Sequence, residues 1–143
     1  MDLFTIGYEG ATLPDVVGRL HAAGVQVLLD VRAVAASRRP GFSKTALSAS
    51  LAEAGIDYVH LRALGTPALG RQAARAGRTA EMRAIFHDHL ETPEAQLAFL
   101  HAAEITRDRR TALLCYEADA TTCHRAVIAE RLRVHLGGAI HDL

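Results

Sequence analysis

The residues best equipped for chemistry lie in one stretch, Cys115-Tyr116-Glu117-Ala118-Asp119-Ala120-Thr121-Thr122-Cys123-His124-Arg125, which holds both cysteines of the chain. It reads as the link between a buried strand and a helix, with Thr121 or Thr122 placed to cap the helix start. Unpaired N–H groups and the helix dipole at such an end favour anions and lower the pKa of a nearby thiol. Cys123 is therefore the expected nucleophile. His124 is its acid–base partner, and Glu117 is a proton carrier or general base. Arg125 adds a cation for the substrate. Free cysteine is also a common small buried hydrophobe, and Cys115 at a strand end fits that description while still lining the substrate site.

A second stretch, Asp30-Val31-Arg32 followed by Ser37-Arg38-Arg39-Pro40-Gly41-Phe42-Ser43-Lys44, gathers cations after another strand. Asp30 and Arg32 can form a fixed ion pair that positions the loop, while Arg32 and Arg38 suit phosphate or carboxylate groups. Tyr8 after the first strand and His141 near the end of the chain are the remaining candidates for substrate contact. Cys115, Cys123, His124 and His141 are also metal-ligand types. However, neighbouring Cys and His at a helix start rarely point at one ion, and no paired short-spacing signature is present. No metal or other cofactor is expected.

These segments need a frame, and the apolar pattern supplies one. Leu3–Ile6, Val25–Val31, Ile56–Leu61 and Thr111–Cys115 read as strands, with Ala139–His141 as a short last one. Between them run helices from Pro14 to Gly24, Ser43 to Gly55, Thr79 to Leu90, Pro93 to Thr106 and Cys123 to Leu136. Leu64–Gly77, rich in Gly and Arg, is assigned no element. Strands alternating with helices predict a single-domain, three-layer α/β fold over residues 1–143, with a mostly parallel sheet of about five strands. In such sheets the ligand crevice lies beyond the carboxyl ends of the strands. Those ends carry Gly7-Tyr8-Glu9, Asp30-Val31-Arg32, the Leu64-Gly65 region, Cys115-Tyr116-Glu117 and His141.

Bulk composition narrows the classes. Half of the 143 residues are apolar, and 16 basic side chains balance 16 acidic ones. This excludes disorder and argues against a general attraction to nucleic acid or anionic membrane. Two cysteines make no disulfide scaffold, and no apolar run reaches membrane-spanning length. A cytoplasmic location without a membrane partner is the expectation; oligomeric state is not readable.

Thr5-Ile6-Gly7-Tyr8-Glu9-Gly10, Asp30–Arg32 with Ser37-Arg38 and Phe42, Tyr58 followed by Leu64-Gly65, and Cys115…Cys123-His124-Arg125 together resemble the domain of unknown function 488 family, nearly end to end. The resemblance implies a compact prokaryotic α/β domain and carries no activity with it. Many members have Gly-Gly and basic residues where this chain has Gly65-Thr66-Pro67, and His-Ser where it has Tyr8-Glu9. A weaker architectural analogy joins the chain to rhodanese-like domains and related phosphatases. They share an Asp-x-Arg strand end and a strand–Cys loop–helix unit. Their Cys-to-Arg loop is about five residues, whereas nine separate Cys115 from Arg125 here.

The functional expectation is an enzyme, a hydrolase among the options, acting on a phosphate-bearing or nucleic-acid-related substrate in a Cys/His/Arg/Glu crevice. One alternative is a non-catalytic anion- or nucleotide-binding module. The other is a metal-dependent hydrolase using Cys123, His124 and a carboxylate. The expected partner is a small anionic ligand or a nucleic-acid component.

Overall fold

Runs such as Val27-Leu28-Leu29, without polar alternation, satisfy the hydrophobic effect only if covered on both sides. The computed structural model, which describes residues 1–143, covers them so. Its elements are β1 (Asp2–Gly7), α1 (Leu13–Ala22), β2 (Val27–Asp30), α2 (Lys44–Glu53), β3 (Asp57–His60), a 3₁₀ turn (Arg62–Leu64), α3 (Ala68–Arg75), α4 (Thr79–Leu90), α5 (Pro93–Asp108), β4 (Thr111–Cys115), a second 3₁₀ turn (Ala120–Thr122), α6 (Arg125–Leu136) and β5 (Ala139–Asp142). The five strands form one sheet in the order β3-β2-β4-β1-β5, and every pairing is parallel. The expected α/β fold is the one observed.

Alternate strand residues feed two cores. Leu3, Val27, Leu29 and Leu113 pack with Met82, Phe86, Ala102, Ala103, Ile128 and Leu132 from α4, α5 and α6. Phe4, Ile6, Leu28, Ala112 and Leu114 pack with Val16, Leu20, Leu47 and Leu51 from α1 and α2. The sheet is thus the middle of three layers. Strands β1 and β4 are neighbours, yet the chain leaves β1 toward α1 on one face and β4 toward α6 on the other. The loops after β1 and β4 stay hydrogen-bonded to each other, and the crevice opens beyond the carboxyl ends of β2 and β4, which leave the sheet toward α2 and α6 on opposite faces.

Local signals explain most boundaries. Thr12 caps α1 by accepting from the Asp15 N–H, and Thr92 caps α5 by accepting from Ala95. Ser43 stands at the start of α2, but its hydroxyl bonds Ser37 across the basic loop and leaves the helix end uncapped by a side chain. In the stretch assigned no element, Gly70 sits in the middle of α3. A Cβ there would lie 2.4 Å from Cγ2 of Thr66 and 3.3 Å from Cγ2 of Ile85. The other residues of α3, Ala68, Leu69 and Arg71–Arg75, are strong helix formers, and close packing against α4 offsets the cost of the glycine. No helix is long and apolar enough to cross a membrane.

Candidate functional site

The loop that follows β4 is held down before it can carry any function. Glu9 N–H donates to the Tyr116 carbonyl at 2.8 Å, and Ala118 N–H donates to the Glu9 carboxylate at 3.1 Å. Arg125 reaches back from α6 and donates to the carbonyls of Glu117 and Ala118. Gly7 provides the seat: a Cβ there would stand 1.7 Å from the Glu117 carbonyl oxygen, so no side chain fits beneath the loop. The expected anion-binding Arg125 is 1 % exposed, and its Nη atoms go to the backbone. It fastens the Cys115–Ala118 loop.

Downstream the local order also departs from expectation. Asp119, rather than Thr121 or Thr122, acts as the cap: its carboxylate accepts from the Thr121 N–H at 2.9 Å and starts a separate 3₁₀ turn. Cys123 then adopts an extended backbone (φ −117°, ψ 145°), while His124 is already helical (φ −61°, ψ −21°). This change of direction brings the two adjacent side chains together, although neighbours at a helix start were expected to diverge. His124 Nδ1 lies 3.5 Å from Cys115 Sγ and 3.7 Å from Cys123 Sγ.

The opposite ring nitrogen of His124 donates to the Val31 carbonyl at 2.7 Å, which fixes the ring and turns the Nδ1 lone pair of the neutral imidazole toward both thiols. Burial by itself pulls the His124 imidazolium down. The Cys123 thiol, the Val31 carbonyl and the charge of Glu117 outweigh it and raise the net value. For Cys123 the balance is reversed. Burial pushes its thiol well up, the Cys115 sulfur adds to this, and His124 opposes it. The thiolate expected at Cys123 from a helix dipole is thus overridden by desolvation at a position 1 % exposed.

Cys115, not Cys123, faces open space. A cavity of about 240 Å³ lies beyond the carboxyl ends of β2 and β4, and its walls include Tyr8, Arg32, Arg71, Arg75, Glu117 and Thr122, with Cys115 and His124 also exposed to it. Glu117 Oε2 lies 3.4 Å from Cys115 Sγ. Arg32 is locked on its far side. Its Nε and Nη2 donate to the two oxygens of Asp30 at 2.9 and 2.7 Å, and Nη1 donates to the Tyr8 hydroxyl at 3.1 Å and the Phe42 carbonyl at 2.8 Å. Burial pulls the Arg32 guanidinium down, but the Asp30 carboxylate more than offsets this, so it stays charged. Tyr58 completes the group by donating its hydroxyl to Asp30.

Of the residues singled out from sequence, Tyr8, Arg32, Cys115, Glu117 and His124 line this cavity, Asp30 sits directly behind Arg32, and Cys123 sits behind His124. Besides Arg125, which is committed to the loop backbone, two do not join them. Arg38 is exposed on the basic loop, outside the cavity wall. His141 was expected at the functional edge, but β5 pairs it with Phe4, short of the rung where Gly7 meets Cys115. It stacks on the Phe4 ring and bonds Asp2 at 3.2 Å.

Sequence reasoning missed Arg71 and Arg75 of α3. Arg71 donates to the Thr66 carbonyl at 2.9 Å, and neither arginine has a carboxylate partner, so their charge is available to the cavity. The signal was a run of strong helix formers, Arg71–Arg75, after the third strand, masked by Gly65, Pro67, Gly70 and Gly77 around it. Cationic walls above a thiol–imidazole pair and a carboxylate can hold an anion, move a proton and offer a sulfur nucleophile.

The chain belongs to the family described as Domain of unknown function DUF488, whose sequence model matches residues 12–132. No curated protein and no solved structure matches it.

Proposed function

From this membership, which brings no activity with it, we propose that the protein is a hydrolase of small phosphate-bearing molecules that works through Cys115. The observation that carries the reading is the contact between Cys115 Sγ and His124 Nδ1, 3.5 Å apart at the cavity wall, with the far side of the imidazole anchored on Val31. A thiol at the nucleophile position, a base in reach and a third group that orients the base are the parts required for covalent catalysis.

Arg71, Arg75 and the remaining donor capacity of Arg32 bind the phosphoryl oxygens. His124 takes the Cys115 proton. Sulfur attacks phosphorus, an S–P bond forms, the bond from phosphorus to the leaving oxygen breaks, and His124 passes the proton it took to that oxygen. Water then attacks the phosphorus and gives its proton to the Glu117 carboxylate, the S–P bond breaks to release inorganic phosphate, and Glu117 returns the proton to the Cys115 sulfur. The substrate is a small molecule rather than a nucleic-acid tract: about 240 Å³ is below the usual range for drug-sized ligands, and the chain has zero formal net charge.

The test is iodoacetamide labelling read by peptide mass spectrometry, run beside phosphate release from a set of small phosphate monoesters. Cys115 is expected to label faster than Cys123 at neutral pH, inorganic phosphate to slow it, and Cys115→Ser to abolish turnover. Phosphate protection without turnover of any ester would favour the non-catalytic anion-binding module. Labelling of Cys115 that is sluggish and indifferent to phosphate refutes both.

A further inference from the structure

The proposed reaction uses one sulfur of the floor and leaves the other unexplained. Cys123 is buried behind His124, reaches the same ring nitrogen as Cys115 and takes no part in lining the cavity. A resolving or structural thiol has no need to converge on an imidazole lone pair. A metal ligand does.

We infer that Cys115, Cys123 and His124 form a three-ligand site for a thiophilic divalent cation, Zn²⁺ above all, whose binding silences the sulfur nucleophile. The ligand atoms of the three residues all lie within 4.8 Å of one another. Tetrahedral zinc with bonds of about 2.3 Å to sulfur and about 2.05 Å to nitrogen spaces a sulfur and a nitrogen about 3.6 Å apart. The observed separations are 3.5 and 3.7 Å, so a cation can enter with little movement of either pair. The hydrogen bond from the far ring nitrogen to the Val31 carbonyl, at 2.7 Å, is the outer-shell contact that fixes a ligating histidine in the right tautomer.

Donor softness favours zinc over magnesium or calcium, which prefer oxygen cages. Cys115 and His124 both reach the cavity wall, so the fourth direction opens on the substrate space. There Glu117, 3.4 Å from Cys115 Sγ, can close the coordination sphere. Binding releases the two thiol protons to solvent, and no electron moves. The metal site stands on this geometry alone. Its regulatory consequence rests on the reading of Cys115 as nucleophile, since a sulfur bound to zinc no longer has its lone pair free for phosphorus.

The experiment takes the full-length protein without an affinity tag, strips it with a chelator, and titrates it with Zn²⁺ against a competing indicator and with Co²⁺ by absorption. One cation per chain is expected. Cobalt should give the strong visible bands of tetrahedral coordination together with thiolate-to-cobalt charge transfer. Cys115→Ser and Cys123→Ser should each weaken Zn²⁺ at least about 100-fold. Zn²⁺ should slow iodoacetamide labelling of Cys115 at least about tenfold in the native protein and less than twofold in Cys123→Ser.

Substoichiometric binding, a cobalt spectrum without thiolate charge transfer, or unchanged affinity in folded Cys123→Ser overturns the metal site. The cobalt spectrum decides the matter on the native protein if that variant fails to fold. Stoichiometric zinc on a chain whose metal-free Cys115 resists alkylation keeps the site and overturns both the silencing and the thiol mechanism. Fast alkylation without zinc binding does the reverse.

Discussion

Replacing Asp30 by Asn tests the anchor beneath the site while keeping the shape of the side chain. The Asp30 carboxylate is fully buried and accepts from the Arg32 N–H at 3.1 Å, from Arg32 Nε and Nη2 at 2.9 and 2.7 Å, and from the Tyr58 hydroxyl. The amide removes the charge and leaves the Arg32 guanidinium, 5 % exposed, without its counterion. Breaking one side of a buried pair costs about 3–5 kcal/mol. Here the cost falls toward the lower end, about 3 kcal/mol, because Arg32 keeps the Tyr8 hydroxyl and the Phe42 carbonyl as acceptors. Tyr58→Phe removes only one hydrogen bond to a charged acceptor, about 1.5–3 kcal/mol. The double variant should lose less than the sum of the two, since the phenol has no charged acceptor once Asp30 is gone. Urea unfolding followed by circular dichroism, with unchanged m-values, measures all three. A loss under about 1 kcal/mol for Asp30→Asn, or strict additivity in the double variant, would show that the pair is solvated and that Arg32 is not held in place by it.

Three further outcomes follow from the same structure. Burial and the bond to Asp30 raise the Tyr58 phenol far above its ordinary value of 10.0. Folded protein therefore keeps a proton that unfolded chain releases, and stability falls as pH rises above 10; Tyr58→Phe should flatten that fall in urea unfolding at alkaline pH. Gly7→Ala places a methyl group against the Glu117 carbonyl; it should destabilise by about 1–3 kcal/mol and alter Cys115 labelling, while Gly18→Ala, where a Cβ meets open space, should do neither. Arg71→Ala and Arg75→Ala should each weaken phosphate protection of Cys115 by about tenfold, the equivalent of one charge-assisted hydrogen bond, whereas Arg38→Ala should leave it unchanged in a labelling titration.

The order of residue types along the chain carries the layered fold and the edge where chemistry gathers. Apolar runs such as Leu28-Leu29 and Leu113-Leu114 demand a sheet covered on both faces, and Thr12, Thr92 and the glycines that follow helices mark their ends, because these are properties of neighbouring residues. It also marked Cys115, Glu117, His124, Arg32 and Tyr8, which the fold does bring to one cavity. Which cysteine faces that cavity depends on long-range packing. A dipole argument promotes Cys123, but exposure depends on where the 3₁₀ turn Ala120–Thr122 ends and on a His124 ring anchored to Val31, a residue of a distant segment. In the same way Arg125 was diverted from ligand to loop, His141 was carried away by the register of β5, and Arg71 and Arg75 were brought in by the packing of α3 against α4. The sum of burial and charge at each of these side chains is set by residues far along the chain, and spacing along the chain does not encode it.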